Sequence, residues 1–462
     1  MNILLILPKT SVIYKAFNVD LPPLGLMYLA GSLQKHGHRV KIINENTAKN
    51  KDRLQYSSFD MVGITASTSS YNRALAIARD AKREGRFVVM GGYHTTFMDR
   101  EAMETGYVDA VVRGEGEAIL AELAGALENG RGFGNISGIT YAANGSVKKN
   151  EGSGLIEDLD SLAYPARELI DRSEYATHLE GKKVTPMSTS RGCSHDCYFC
   201  AVTKFGKKWR ARAPGLVVDE MEHVLKNNLG EGVVISDDNF TVNPQRVEAI
   251  CDDILKRGLS FPWWCMSRTD TIVRNKDMAK KMAKAGCRTV FLGIESGEPK
   301  ILSNLNKRST VETARTAISI LENAGITSYG SFMMGDSQET EEDVRKTIAL
   351  SRKLNLEVAQ FSIITPFPGT KLYDDIKDRI TDTNWNNYEG LHSVFRLDYL
   401  TKEKIEKLLF KAYFSFYSQP RVILLFLKNT FIKTFSLKIF MRMVTGVARA
   451  MLQNVGFAGG RQ

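Results

Sequence analysis

The chain is poor in cysteine, with six in 462 residues. So low a density excludes a disulfide-stapled secreted scaffold and fits a reducing compartment. No uncharged apolar run approaches the about 20 residues of a membrane-spanning helix. The N-terminus, MNILLILPKT, lacks a basic lead and a small-residue cleavage site, and Pro8 stops it early. It is expected to form a buried first strand and not a secretion signal. Acidic residues are missing from Ala412 to Gln462, a stretch with seven Lys and Arg. The net charge of +10 is therefore largely a C-terminal property. Neither the N-terminal third nor the region around the cysteines is strongly basic, so nothing points to nucleic acid as a partner. A length of 462 residues suggests two or three domains at the usual size of about 150 residues each.

The few cysteines are concentrated. Arg191-Gly192-Cys193-Ser194-His195-Asp196-Cys197-Tyr198-Phe199-Cys200 holds three of them at C-x3-C-x2-C spacing, with an aromatic residue before the last. Three thiols this close can grip one soft metal centre, yet they leave one position on it open. A structural zinc site is closed by four protein ligands. A [4Fe–4S] cluster is normally held by four thiolates. The next cysteine is Cys251, so no fourth thiol is local. A cluster with an open iron can chelate a small molecule there and pass it one electron. The competing reading is a zinc knuckle completed by His195 or a distant ligand, with His195 cramped inside the Cys193–Cys197 loop. Cys251, Cys265 and Cys287 are scattered and are expected to pack as small apolar residues.

Around this motif, apolar runs alternate with amphipathic helical patterns. Up to residue 130, strands are expected at Ile3–Leu7, Val40–Ile43, Met61–Thr65, Phe87–Met90 and Ala110–Val112. Helices are expected at Leu24–His36, Asn72–Glu84, Thr96–Thr105 and Glu117–Asn129. That alternation implies a parallel sheet covered on both faces, with ligands beyond the carboxyl ends of its strands. A hairpin centred on Asn144-Gly145 follows, then an irregular linker. A second β/α series begins at Thr185, with strands Met187–Ser190, Val233–Ser236, Trp263–Ser267, Thr289–Gly293, Ser328–Met334 and Glu357–Ile364. Six such units make a partial (β/α)6 barrel whose site lies at the C-terminal face of the strands. Trp263 and Trp264 are read as core residues. The fold class is thus α/β: a Rossmann-like domain over 1–150, a linker over 151–183, a partial TIM-type barrel over 184–380 and a helical region over 381–462.

The cysteine spacing, with its preceding aromatic, resembles the signature of the radical S-adenosylmethionine (SAM) superfamily. Residues 1–380 as a whole resemble its cobalamin-binding members, the class B methylases and the anaerobic magnesium-protoporphyrin ester cyclase. The marks in the first domain are Pro22-Pro23-Leu24-Gly25-Leu26, Gly91-Gly92-Tyr93-His94 and Val112-Arg113-Gly114-Glu115-Gly116-Glu117. In the barrel they are Asp237-Asp238-Asn239-Phe240, Ser267-Arg268, Gly293-Ile294-Glu295-Ser296-Gly297 and Pro366-Phe367-Pro368-Gly369-Thr370.

By that resemblance Cys193, Cys197 and Cys200 hold a [4Fe–4S] cluster whose free iron binds SAM. Phe199 is among the SAM contacts, and Asp237, Asp238 and Asn239 face the SAM amino group. Arg268, Glu295 and Ser296 serve its carboxylate and ribose, and Ile364 and Thr365 flank the adenine. On the residues alone, Asp238 and Asn239 could instead cap a helix leading toward Pro244, and Glu295 and Ser296 could be a polar loop. Cobalamin falls to the strand-end loops, namely Thr65, Ser67 and Thr68, Gly91, Gly92 and His94, and Arg113, Gly114 and Glu115. The D-x-H-x-x-G motif that supplies an axial histidine to many cobalamin domains is absent. The alternative is a domain that kept the fold and lost the cofactor.

The resemblance implies reductive cleavage of SAM to a 5′-deoxyadenosyl radical and methylation of an unactivated carbon. The same machinery used for cyclisation or rearrangement is the second reading, and a non-catalytic metal-stapled protein is the third. A methylthiotransferase would carry two further cysteines upstream of Cys193, and none is there. No individual catalytic residue is assigned. The expected partners are a small-molecule substrate, apolar or lipid-like, and an external electron donor of flavodoxin or ferredoxin type. In the C-terminal stretch Arg421–Gln453, five of six basic residues fall within an arc of roughly 100° beside a wide apolar face. Gly446 is a candidate break in that pattern. Peripheral membrane contact through 421–453, or a helical cap on the barrel, is expected there. The chain is accordingly expected in the cytoplasm, at the inner face of the membrane.

Overall fold

A computed structural model describes residues 1–10, 20–47, 55–152, 155–175, 177–206 and 208–428. The first sheet holds β1 (Asn2–Leu7), β2 (Arg39–Asn44), β3 (Met61–Thr65), β4 (Phe87–Gly91), β5 (Ala110–Val112), β6 (Ile139–Ala143) and β7 (Ser146–Lys149). Their order is 2-1-3-4-5-6-7, with β1–β5 parallel and the β6–β7 hairpin antiparallel at the edge. The period-two pleat sorts the first strand cleanly. Ile3 and Leu5 pack with the helices Leu24–Lys35 and Glu117–Glu128, whereas Leu4 and Ile6 pack with Tyr71–Arg83 on the other face. Strand order reverses between β1 and β3, which opens a crevice at their carboxyl ends. Asn144 (φ 51°) and Gly145 (φ 73°) make the tight hairpin turn that two left-handed residues favour.

One expected helix is broken. Thr96–Thr105 is two short helices, Tyr93–Phe97 and Asp99–Glu104, separated at Met98. The break turns buried Asp99 toward Thr140 Oγ1 (2.6 Å) and Lys149 Nζ (2.8 Å).

The second sheet contains β8 (His178–Leu179), β9 (Lys182–Met187), β12 (Gly232–Ile235), β13 (Trp263–Ser267), β14 (Cys287–Glu295), β15 (Thr327–Met334) and β16 (Val358–Ile363). From β9 to β16 all pairings are parallel. The short strands β10 (Ser190–Arg191) and β11 (Arg210–Ala211) form a separate antiparallel ribbon. The first barrel strand is therefore not Met187–Ser190 but the preceding segment, and the expected linker overlaps it. Asp237 explains the shift. It captures the Thr189 N–H and hydroxyl and the Ser190 hydroxyl, each at 2.6 Å, and draws the chain out of the ladder after Met187. Trp263 is fully buried and donates from Nε1 to Ala285 O, as a core residue should. Cys251, Cys265 and Cys287 are likewise buried.

β16 is an edge strand, yet its exposed backbone is satisfied. On the helix Lys402–Tyr417 the Tyr413 hydroxyl bonds both Phe361 N and O, and the Tyr417 hydroxyl bonds both Ala359 N and O. Four residues of helix span about 6 Å and two residues of strand nearly 7 Å, so the two spacings match. Pro420 then opens a further helix, Pro420–Lys428. Arg421 does not face outward with a basic stripe. Its guanidinium donates to Leu356 O (3.0 Å) and Leu354 O (3.3 Å), closing the end of the preceding β/α unit. Of the rest of the expected stripe, Lys438, Arg442 and Arg449 lie outside the described residues, as do Lys433 and Gly446. Among the described residues no helix is long and apolar enough to cross a membrane.

Candidate active site

The cysteine loop is an excursion closed at its base by the β10–β11 ribbon, where Arg191 lies opposite Arg210. Gly192 has φ +82°, and a Cβ there would sit 2.2 Å from Gly206 O and 2.5 Å from Lys208 O. Only glycine lets the two ends of the loop approach this closely. The loop is braced from outside: Tyr198 N donates to Leu305 O, Asn306 Nδ2 to Asp196 O, and the Tyr198 hydroxyl to Asp375. Cys193, Cys197 and Cys200 are half-buried and none is in a disulfide. Burial, then the neighbouring Cys197, Asp238 and Cys193, pushes the Cys200 thiol up to about 11, and burial also raises Cys193. The three sulfurs therefore share one electrostatic environment. Among the described residues no three or more His, Cys, Asp or Glu side chains converge on a position for a single metal ion, and His195 joins no such set.

The polar residues beyond the barrel strands divide into committed and open groups. Asp237 is wholly engaged with Thr189 and Ser190. Ser296 is buried against Thr347 (3.1 Å). The Thr365 hydroxyl turns back to Ile363 O, and Ile364 is buried beside it. Phe199 is half-buried against the barrel core. Arg268 bonds Asp270 and Lys307 O, and its Nη1 lies 4.0 Å from Cys197 Sγ. Glu295 sits at φ +68°, where β14 shifts register against β15, and pairs with Lys307 Nζ at 2.5 Å. Asn239 is 2 % exposed, and its amide nitrogen has no partner. A buried amide left so is expensive unless a ligand meets it. Asp238 accepts from Gly192 N (3.2 Å), and burial followed by the charge of Asp237 raises its carboxyl to about 6.

Between the two sheets lies a cavity of ≈ 480 Å³. Thr65, Gly91, Gly92, Gly114 and Glu115 line it from the ends of β3, β4 and β5; Arg191, Gly192, Ser236 and Asp238 line it from the barrel. Gly25 borders it as well, and a Cβ there would meet nothing within 4 Å. The structure does not bring the remaining loop residues to this cavity. Ser67 and Ser70 form a reciprocal capping box, and Arg113 is turned to Ile139 O and Asn150 O. His94 is 1 % exposed, packed on Tyr71 (4.1 Å) and Trp385 (4.8 Å), with Thr68 Oγ1 3.3 Å from Nδ1. Burial drops its pKa to about 3, so it stays neutral as part of the core.

Sequence reasoning missed Arg210 and Lys307, and it quoted Arg191 and Glu117 without a role. Their partners lie on the other sheet or across a turn, and no local pattern marks them. As a donor set, three thiols on one loop with no fourth cysteine near them in the chain fit a cluster with one open iron. The orphaned Asn239 amide fits a polar ligand beside it. The glycine-lined strand ends, with open space at Gly25, fit a large flat cofactor.

Fold and site together define a two-domain enzyme in which a cofactor-binding α/β domain faces a cluster-bearing partial barrel. Residues 187–351 match the model of the radical SAM superfamily, and residues 10–124 that of the B12 binding domain. An uncharacterized methyltransferase of Pyrococcus horikoshii is 39 % identical over 437 residues, covering 92 % of this chain and 94 % of that protein. An anaerobic magnesium-protoporphyrin IX monomethyl ester cyclase of Rubrivivax gelatinosus is 29 % identical, covering 83 % of this chain and 71 % of its own. The structure of the radical SAM methyltransferase TsrM from Kitasatospora setae, with cobalamin and a [4Fe–4S] cluster bound, superposes with a TM-score of 0.66 at 20 % identity. That match covers 82 % of this chain and 74 % of TsrM. The chain belongs to the cobalamin-binding radical SAM methyltransferase family. The cofactors of that family are a [4Fe–4S] cluster, SAM and cobalamin.

Proposed function

We propose that this enzyme methylates an unactivated carbon of an apolar, lipid-like small molecule held between its two domains. The observation that carries the reading is the shared cavity: one wall is the glycine-lined strand ends, the other the base of the cysteine loop. When bound, the cluster and SAM supply a carbon-centred radical that abstracts hydrogen, and cobalamin supplies a transferable methyl group. The protein's part is to bind, orient and exclude water. Cys193, Cys197 and Cys200 would hold the cluster. Asp238, Asn239, Arg268 and the Glu295–Lys307 pair would give SAM's ammonium, carboxylate and ribose fixed partners. Thr65, Gly91, Gly92 and Gly114 would cradle cobalamin without an axial histidine, since His94 is withdrawn into the core, and Glu115, its carboxylate taken by Arg210, would position them. Leu5, Leu7, Leu24, Leu29 and Leu120 make much of the cavity wall, which favours apolar matter. In this reading 1–150, 184–380 and 381–462 act as the cobalamin, radical and C-terminal units.

The test is anaerobic. Reconstituted protein is incubated with SAM, hydroxocobalamin, a one-electron reductant and a lipid extract. Equal amounts of S-adenosylhomocysteine and 5′-deoxyadenosine, rising with added extract, are expected. Deoxyadenosine alone would instead support cyclisation or rearrangement, a reading favoured by the similarity to the cyclase. We also infer peripheral contact with an anionic membrane face on the cytoplasmic side. Phe414, Ile423 and Leu424 are 54 %, 43 % and 54 % exposed on the last two described helices, beside the stretch without acidic residues. Failure to float with anionic liposomes would end that part of the reading.

A further inference from the structure

The strongest polar contact between the two domains is at the rim of the cavity. Arg210 donates from both terminal nitrogens to Glu115, at 2.7 and 2.8 Å. Arg191 donates to Glu117 at 2.5 Å and lies 3.7 Å from Glu115. Both carboxylates belong to the loop that leaves β5, Gly114–Glu117. Both arginines belong to the ribbon that closes the cysteine loop, opposite each other in register. The side chains of Arg210 and Glu115 are 3 % and 6 % exposed, so water screens them little. Arg191 also lies over the Tyr28 ring, 5.3 Å from its centroid, and the Ser32 hydroxyl fastens Glu117 O at 2.7 Å. Burial pushes Glu115 upward, but the hydrogen bond from Arg210 and the charge of Arg191 outweigh it and hold the carboxyl below its ordinary value.

We propose that Glu115, Glu117, Arg191 and Arg210 are positioning residues that couple the two cofactor sites, so that filling one tightens the other. This rests on the cobalamin-dependent reading above. The physical reason is that the two loops share their walls. The Gly114–Glu117 loop lines the cavity with its glycines while its carboxylates grip the base of the cysteine loop. Gly192 follows Arg191 and precedes the first cluster cysteine, and its close contacts with Gly206 and Lys208 leave no slack. A ligand that orders the Gly114–Glu117 loop therefore also orders the cysteine loop. Bidentate Arg–carboxylate geometry makes the link directional and specific, and a lysine could not reproduce it.

The experiment measures hydroxocobalamin affinity of the full chain in two states, cluster-loaded and iron-stripped under anaerobic conditions. Wild type is expected to bind about tenfold tighter when loaded, within the roughly 5- to 150-fold range of coupled sites. By reciprocity, cobalamin should strengthen retention of iron against a chelator by the same factor. In Glu115→Gln and in Arg210→Lys, which removes the bidentate link, the ratio should fall to within about twofold of one. The individual affinities and the thermal midpoint report any general loosening separately. A wild-type ratio of one, or a variant ratio as large as wild type, overturns the coupling while leaving the enzyme class intact. Wild-type protein that takes up neither iron nor cobalamin overturns the functional reading and this inference together.

Discussion

Replacing Gly192 by Ala should disable the cluster without unfolding the protein. The backbone there sits at φ +82°, a conformation that costs an L-residue about 1–2 kcal/mol. The added Cβ would lie 2.2 Å from Gly206 O and 2.5 Å from Lys208 O. An ordinary contact is roughly 3.5 Å, so the ends of the loop would have to separate by about 1 Å. Over-packing of this kind costs about 1–3 kcal/mol. The sum, roughly 2–5 kcal/mol, falls on closure of the cysteine loop and corresponds to a loss of about 30-fold to several thousand-fold in cluster retention. The assay is iron and sulfide content with the visible charge-transfer band after anaerobic reconstitution. Wild type should approach about four irons per chain and Gly192→Ala below about one. Gly25→Ala is the control, because its Cβ meets nothing and alanine suits a helix better by up to about 1 kcal/mol. It should keep its iron while hydroxocobalamin binds more weakly, since the methyl group enters the cavity. Full iron with an unaltered band in Gly192→Ala would refute the argument.

Cys197→Ala should lose the iron and Cys251→Ala should retain it, by the same assay, because Cys251 is wholly buried in the barrel core. His94 predicts acid sensitivity. Its folded-state pKa of about 3 lies below the ordinary 6.5, so the unfolded chain takes up the proton first. Its contribution is complete above pH 6.5 and is lost as the pH falls toward about 3, by up to about 5 kcal/mol. Denaturation midpoints followed over that range should flatten in His94→Gln; an unchanged slope would show that other groups dominate. The double substitution Tyr413→Phe and Tyr417→Phe leaves the backbone of Ala359 and Phe361 unpaired at a buried edge. At about 1–3 kcal/mol for each hydroxyl, the thermal midpoint should drop by about 4 °C or more. An unchanged midpoint would mean that packing alone seals that edge.

Much of this enzyme is local information. The period-two and helical patterns of the first domain depend only on which residues must face a core, and the structure reproduces most of its elements within a residue or two. The C-x3-C-x2-C spacing identifies the cluster loop for a similar reason: ligand type and spacing along the chain bear directly on the chemistry. The exceptions arise where a side chain finds a partner that sequence distance hides. Asp237 pulls Thr189 and Ser190 out of the first barrel strand. Asp99 breaks a helix to reach Thr140. His94, attractive beside two glycines, is packed into aromatic core because Tyr71, 23 residues before it, and Trp385, nearly 300 residues after it, converge on it. By itself, then, the amino-acid order determined the α/β architecture and the chemical class, since both follow from periodicity and ligand identity. Only the tertiary structure decided which strand-end residues meet at the cavity and that Glu115 and Glu117 hold the cysteine loop by its arginines. Those contacts depend on how the two sheets dock, and an attraction between charges some 75 to 95 residues apart leaves no mark on the local pattern.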